Sequence, residues 1–224
     1  MTDKTDIRPA ATVILTRKGA AGPEVLMGQR GAGAAFMPSK FVFPGGAVDP
    51  GDAAVPVAAP VGAITAARLA QGTDAALAHT LSVAAIRELW EETGLPMGRP
   101  GAWPSTVPDD WRGFADFGMV PDASALTFVF RAITPPGRTR RFDARFFLAD
   151  AGSLAANPDD FSRASDELSH LHWLPLTETR RLDLPFITSV VLAEVAEVLA
   201  RGGLPPSVPF FDNSGPDPTF RRIA

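Results

Sequence analysis

The segment 83–95, Val-Ala-Ala-Ile-Arg-Glu-Leu-Trp-Glu-Glu-Thr-Gly-Leu, constrains the fold of this chain more than any other stretch. At about 100° per residue, Val83, Ile86, Leu89 and Trp90 gather on one side of a helix, and Glu88, Glu91 and Glu92 gather nearly opposite. One face therefore belongs in a core and the other is anionic. Gly94 stands where a left-handed residue ends a helix. Glu88 and Glu92 are one turn apart with Glu91 beside them, spacings at which like charges repel, so the face needs a cation or plain solvent. A hard divalent ion such as Mg²⁺ takes oxygen ligands and binds substrate phosphates, and Ala84 on the same face leaves room for a ligand. The plainer reading is the solvated face of an amphipathic helix.

Composition narrows the choice. The 224 residues carry 21 Lys and Arg against 25 Asp and Glu, a formal net charge of −4, which argues against a dedicated nucleic-acid binder. With 46% hydrophobic and 21% charged residues the chain is globular in character. The sequence has no Cys, which removes thiolate metal sites and thiol nucleophiles together. Its three histidines, His79, His170 and His172, make a poor metal-ligand set, so carboxylates remain the choice for a metal. No run approaches the ~18 apolar residues of a membrane helix. The polar opening does not read as a secretory signal, and Arg221-Arg222-Ile223-Ala224 is no peroxisomal address of the Ser-Lys-Leu type. The expectation is a cytoplasmic protein with a small-molecule partner, no membrane and no nucleic acid, in a monomer or a homodimer.

Strands and helices interleave along the chain. Apolar, β-branched stretches at 10–16 and 24–27 flank Gly19 to Pro23 and read as a hairpin. Phe41-Val42-Phe43 is a short strand that stops at a turn, Pro44-Gly45-Gly46. The Ala-, Val- and Pro-rich stretch from residue 53 to 72 reads as an insertion with a short helix over 61–71, and a stronger helix follows over 74–93. A helix over 109–117, strands over 125–134, 142–149 and 167–174, and a helix over 185–201 complete the pass. We expect one domain, 1–202, interrupted by an insertion at 53–79, and a tail at 203–224. Five prolines in that tail argue against one regular element and for a segment that wraps the surface or reaches a partner.

Taken with Pro44-Gly45-Gly46, the run Arg87-Glu88-Leu89-Trp90-Glu91-Glu92-Thr93-Gly94-Leu95 resembles the signature of the Nudix hydrolases, G-x5-E-x7-R-E-U-x-E-E-x-G-U, where U is aliphatic or bulky and apolar. Its right half matches throughout. Counting from Gly46, Asp52 stands where the family has Glu, and 34 residues separate Asp52 from Arg87 where the family has seven. The resemblance implies an α/β (α+β) Nudix fold, a mixed β-sheet sandwiched between helices, here with a helical insertion. It implies that Glu88, Glu91 and Glu92, with the backbone carbonyl of Gly46, hold Mg²⁺ or Mn²⁺, that Arg87 orients Glu91 or the loop, and that a late Glu can serve as general base, for which Glu167 and Asp166 are candidates.

The interrupted box, with Val25 to Arg30, the stretch 36–49 and the stretches 133–137 and 140–148, looks like the peroxisomal coenzyme A diphosphatase branch and its bacterial relatives. That branch cleaves coenzyme A or acyl-coenzyme A to 3′,5′-ADP and a 4′-phosphopantetheine product. Such a substrate presents a diphosphate and a separate phosphate, so cationic donors are needed beside the metal. Arg138, Arg140, Arg141 and Arg145 around the Pro135-Pro136-Gly137 turn are candidates, with Arg30, Lys40 and Arg17 as alternatives. Trp103, Trp111 and Trp173 are candidates to stack on a base, against core or surface packing. The rival readings are a Nudix pyrophosphatase for NADH, ADP-ribose or another nucleotide, and a non-catalytic nucleotide-binding module.

Overall fold

The computed structural model describes residues 6–31, 33 and 37–224. Phe36 and the first five residues of the polar opening lie outside the described residues. The alternation of buried residues along β1 (Ile7–Gly19) organises everything else: Ala11, Val13 and Leu15 enter one core and Ile14 the other. β1 forms a hairpin with β2 (Gly22–Arg30), which then pairs with β3 (Phe41–Val42). The glycine turn expected at 44–46 is itself a short strand, β4 (Gly45–Ala47), antiparallel to β1.

After a 3₁₀ turn, Pro50–Ala54, come α1 (Ala63–Leu69) and α2 (Ala76–Thr93). α2 ends as expected, at Gly94 in the left-handed conformation, with the Gly94 N–H donating to Trp90 O at 2.7 Å. A two-stranded ribbon, β5 (Gly98–Pro100) with β6 (Met119–Pro121), encloses α3 (Arg112–Asp116). The chain then returns through β7 (Thr127–Ile133), β8 (Arg141–Asp150), β9 (Leu168–Pro175) and α4 (Phe186–Arg201).

The segment 203–224 does not wrap the surface. It supplies β10 (Val208–Asp212) and β11 (Thr219–Ile223), which extend the sheet. Pro209 falls outside the two residues, Phe210 and Phe211, that pair with β7, so its missing N–H removes no bond from that ladder. Strand order is β11-β10-β7-β8-β1-β2-β3, with β4 also on β1 and β9 also on β2. β1 runs parallel to β8 and β10 parallel to β7; the other pairs are antiparallel, so the sheet is mixed. One face packs on α2 through Leu81, Ala85 and Leu89, and the other on α4 through Val191, Leu192 and Val195. The arrangement is a mixed sheet between helices, as expected. Among the described residues no helix is long and apolar enough to cross a membrane.

Candidate active site

α2 is buried on almost every side. Its acidic face lies under β4 and does not open fully to solvent, so Glu92 is 1% exposed. Two glycines permit that approach. A Cβ on Gly45 would lie 2.6 Å from Ala11 O and push β4 off β1, and one on Gly46 would lie 2.5 Å from Glu88 Oε1 and displace that carboxylate. Gly45 N–H donates to Glu92 Oε2 at 2.7 Å. Glu92 Oε1 is buried without a hydrogen-bond partner among the described residues, and the Arg30 guanidinium stands 4.0 Å from it. An unpaired carboxylate oxygen is expensive to bury, which marks the place where a cation belongs.

Arg87 holds the rest of the site together. Its Nε and Nη2 donate to the two oxygens of Asp52 at 2.9 and 3.2 Å, its Nη1 donates to Glu88 and Glu91 at 3.0 Å each, and its Nη2 donates to Ala47 O at 2.9 Å. Asp52, one carbon shorter than the family's Glu, reaches because the 3₁₀ turn folds it inward; its Oδ2 also accepts from Asp49 N at 2.8 Å. Burial alone would lower the Arg87 pKa, but the hydrogen bond to Asp52 and the charges of Glu88, Asp52 and Glu91 raise it, so this arginine stays charged.

The carboxylates shift the other way. Burial, then the charge of Glu88, push Glu92 up to about 8 against Arg30 and the Gly45 N–H. Burial pushes Glu88 up to about 7 against the pull of Arg87, and burial raises Glu91 as well. The charge of Glu167 raises both Glu88 and Glu92, which places it within their electrostatic reach.

These groups open onto a cleft of about 550 Å³. Gly46, Arg87, Glu88, Glu91, Glu92 and Glu167 all line it, as do Arg30, Arg138 and Arg140. Arg141 and Arg145 do not. Arg141 donates to the backbone oxygens of Thr134 at 3.0 Å and Asn213 at 2.6 Å, and Arg145 is buried beside Asp143, which it shares with Arg131. Burial lowers the Arg145 pKa to about 10, against the Asp143 charge. Of the alternatives, Arg17 pairs with Glu24 and Asp159 and Lys40 with Asp183; Asp166 is not among the lining residues.

Trp103 and Trp111 pack on each other, Arg17 lies over Trp173, and none of these three rings lines the cleft. Aromatic surface comes instead from phenylalanines, among them Phe186, which is 74% exposed at the start of α4. Sequence reasoning missed Phe186 and also Arg8; the only sequence signal for Phe186 is its place in the first turn after Pro185.

The donor set fits a hard divalent ion by its chemistry: three carboxylates, one of them with an orphaned oxygen, beside two glycines at which there is no room for a Cβ. It is not a finished cage. Among the described residues no three Asp, Glu or His side chains converge as ligands, because Glu88 and Glu91 are both turned onto Arg87 and Glu92 onto Gly45.

No family model matches the chain. A crystal structure of a NUDIX hydrolase from Alicyclobacillus acidocaldarius superposes with a TM-score of 0.65, covering 89% of this chain and 97% of that one at 30% identity. In sequence the chain is similar to nudix hydrolase 7 of Caenorhabditis elegans, 30% identical over 179 residues that cover 75% of this chain and 51% of that protein. It is also similar to acyl-coenzyme A diphosphatase NUDT19 of Gallus gallus, 29% identical over 204 residues, with coverages of 67% and 53%. The chain spans about half the length of these curated relatives.

Proposed function

From the premise that the chain belongs to the Nudix hydrolase family, we propose that it is a divalent-metal-dependent diphosphatase whose substrate is a nucleoside diphosphate joined to a second moiety, namely coenzyme A or acyl-coenzyme A. The products are 3′,5′-ADP and 4′-phosphopantetheine or its acyl form. The observation that carries the reading is the buried, unpartnered Glu92 Oε1 beside Glu88 and the glycine strand. The coenzyme A assignment draws support from the similarity to the Gallus gallus acyl-coenzyme A diphosphatase.

Glu88, Glu91 and Glu92, with the Gly46 carbonyl, would hold Mg²⁺ or Mn²⁺. Bound there, such an ion supplies positive charge against the diphosphate oxygens and acidifies water. The chain's own residues do the rest. Arg87, fixed by Asp52, sets where Glu88 and Glu91 stand, and so acts as a positioning residue. Arg30, which donates to Gly45 O at 3.3 Å and stands 4.0 Å from Glu92, would meet the diphosphate. Glu167, which lines the cleft and is exposed, would take the proton of the attacking water.

Mass-spectrometric product analysis tests the reading. Purified protein with Mg²⁺ or Mn²⁺ is incubated separately with coenzyme A, acetyl-coenzyme A, NADH and ADP-ribose. The expected result is 3′,5′-ADP with a phosphopantetheine product, abolished by EDTA. Cleavage of NADH or ADP-ribose alone would refute the coenzyme A assignment, and no cleavage of any of the four would refute the activity.

A further inference from the structure

Charge is segregated within the cleft. Its acids, Asp49, Glu88, Glu91, Glu92 and Glu167, come from α2 and the segments following β4 and preceding β9; β1, β7, β8, β10 and α4 contribute none. Those elements and the turn between β7 and β8 contribute three arginines, Arg8, Arg138 and Arg140. All three are exposed, and none enters an ion pair or side-chain hydrogen bond among the described residues. Most other arginines of the chain are tied to an acid or a carbonyl. Of the acids on segments beside it, Asp49 follows Val48, whose N–H donates to Pro9 O, and is turned to Arg87 at 3.8 Å, while Asp143, opposite Pro9 on β8, is taken by Arg131 and Arg145.

The floor between the two ends is flat. Ala47, Ala10, Ala144 and Ala132 stand in cross-strand register on β4, β1, β8 and β7, and the row ends at Phe211 on β10. All five line the cleft. No side chain larger than a methyl group rises from the first four, so a sugar can lie against the sheet. From Ala47, Arg8 is one strand across, about 4.8 Å, and two residues along, about 6.8 Å, a separation on the scale of one ribose. Phe186 and Phe211 add apolar surface for a base.

We propose that Arg8, Arg138 and Arg140 form a second anion subsite, which receives a phosphate monoester carried on the ribose of the substrate and separate from the diphosphate that is cut. The proposal rests on the diphosphatase reading of the same cleft and adds what the far end recognises. Arginine suits the task, because its planar fork of donors matches phosphate oxygens and stays charged. The protein then discriminates ribose-phosphorylated nucleotides from their unphosphorylated counterparts, with Arg8 as a specificity residue outside the box motif.

The test is a pair of calorimetric titrations with 3′,5′-ADP and 5′-AMP, which differ only in the phosphate monoester. Each is run on the wild-type protein, on the triple variant Arg8→Ala/Arg138→Ala/Arg140→Ala, and on Arg201→Ala, an exposed arginine outside the cleft. The wild-type protein and Arg201→Ala should bind 3′,5′-ADP at least about tenfold tighter, and the triple variant should bring the ratio close to one. A parallel comparison of kcat/KM for coenzyme A and dephospho-coenzyme A should show the same loss of preference. Equal affinity in the wild-type protein, no measurable binding of 3′,5′-ADP, or an unchanged ratio in the triple variant would overturn the subsite. A preserved binding ratio without hydrolysis would overturn the activity and leave the subsite standing, so the two failures are distinguishable.

Discussion

Glu92 illustrates what a single side chain contributes here. Its Oε2 is satisfied by a backbone N–H and its Oε1 by no hydrogen-bond donor among the described residues, so the folded protein without a cation holds this group at a cost. With folded pKa values of about 8 for Glu92 and about 7 for Glu88, against the ordinary value of 4.5, the folded state binds more protons than the unfolded state across that interval. Stability from these groups therefore falls as pH rises from about 4.5 through 8, and is flat beyond. Thermal melts in EDTA should show a lower Tm at pH 8.5 than at pH 5.5, and Mg²⁺ should raise Tm more at pH 8.5 than at pH 5.5. A metal-free Tm that does not fall over this range would contradict the burial of an unpaired carboxylate. The three glutamates were legible in the sequence, and so was their shared face. What covers that face was not, because helical spacing carries no information about the strand that Gly45 and Gly46 allow to approach. Arg141 and Arg145 were misread for a related reason: clustering along a turn does not reveal that two of four side chains are consumed by carbonyls and by Asp143.

At the level of elements, the insertion lies between two residues that the site holds in contact. It leaves the chain after Asp52 and returns before Arg87, yet the two residues still meet, so it loops out without disturbing the site. Its α1 carries Arg68, mostly buried, which donates to Pro205 O and Pro206 O at 2.8 Å each. Through those bonds the insertion anchors the segment that leads into β10 and β11. Arg68→Ala would leave two carbonyls without their charged donor, and should lower stability by about 1–3 kcal/mol and speed amide exchange in β10 and β11. Chemical denaturation with hydrogen-exchange mass spectrometry checks both; unchanged exchange in these strands would contradict the anchoring role. The helices were legible because their periodicity, and for α2 the end at Gly94, are local. β10 and β11 were not, because the prolines read as breakers, and only the sheet partner decides whether a missing N–H matters.

For the whole molecule, the mixed sheet places two unlike chemistries along one cleft. α2 packs on one face and α4 on the other, and β4 on the flank of β1 brings the acidic helix to the start of a floor that runs under Arg8 towards β10. The net charge of −4 gives no hint of this division, since the acids and the arginines that line the cleft come from distant parts of the chain. On the proposed function, the carboxylates of α2, Glu92 above all, make this protein a metal-dependent diphosphatase. The most direct measurement is the hydrolysis rate of coenzyme A by the wild-type protein and Glu92→Gln across a Mn²⁺ titration, with circular dichroism on both. The amide keeps the shape of the side chain and removes its charge, so the variant should stay folded and lose turnover by about two orders of magnitude or more at every Mn²⁺ concentration. A folded Glu92→Gln protein that turns over at the wild-type rate would contradict the account.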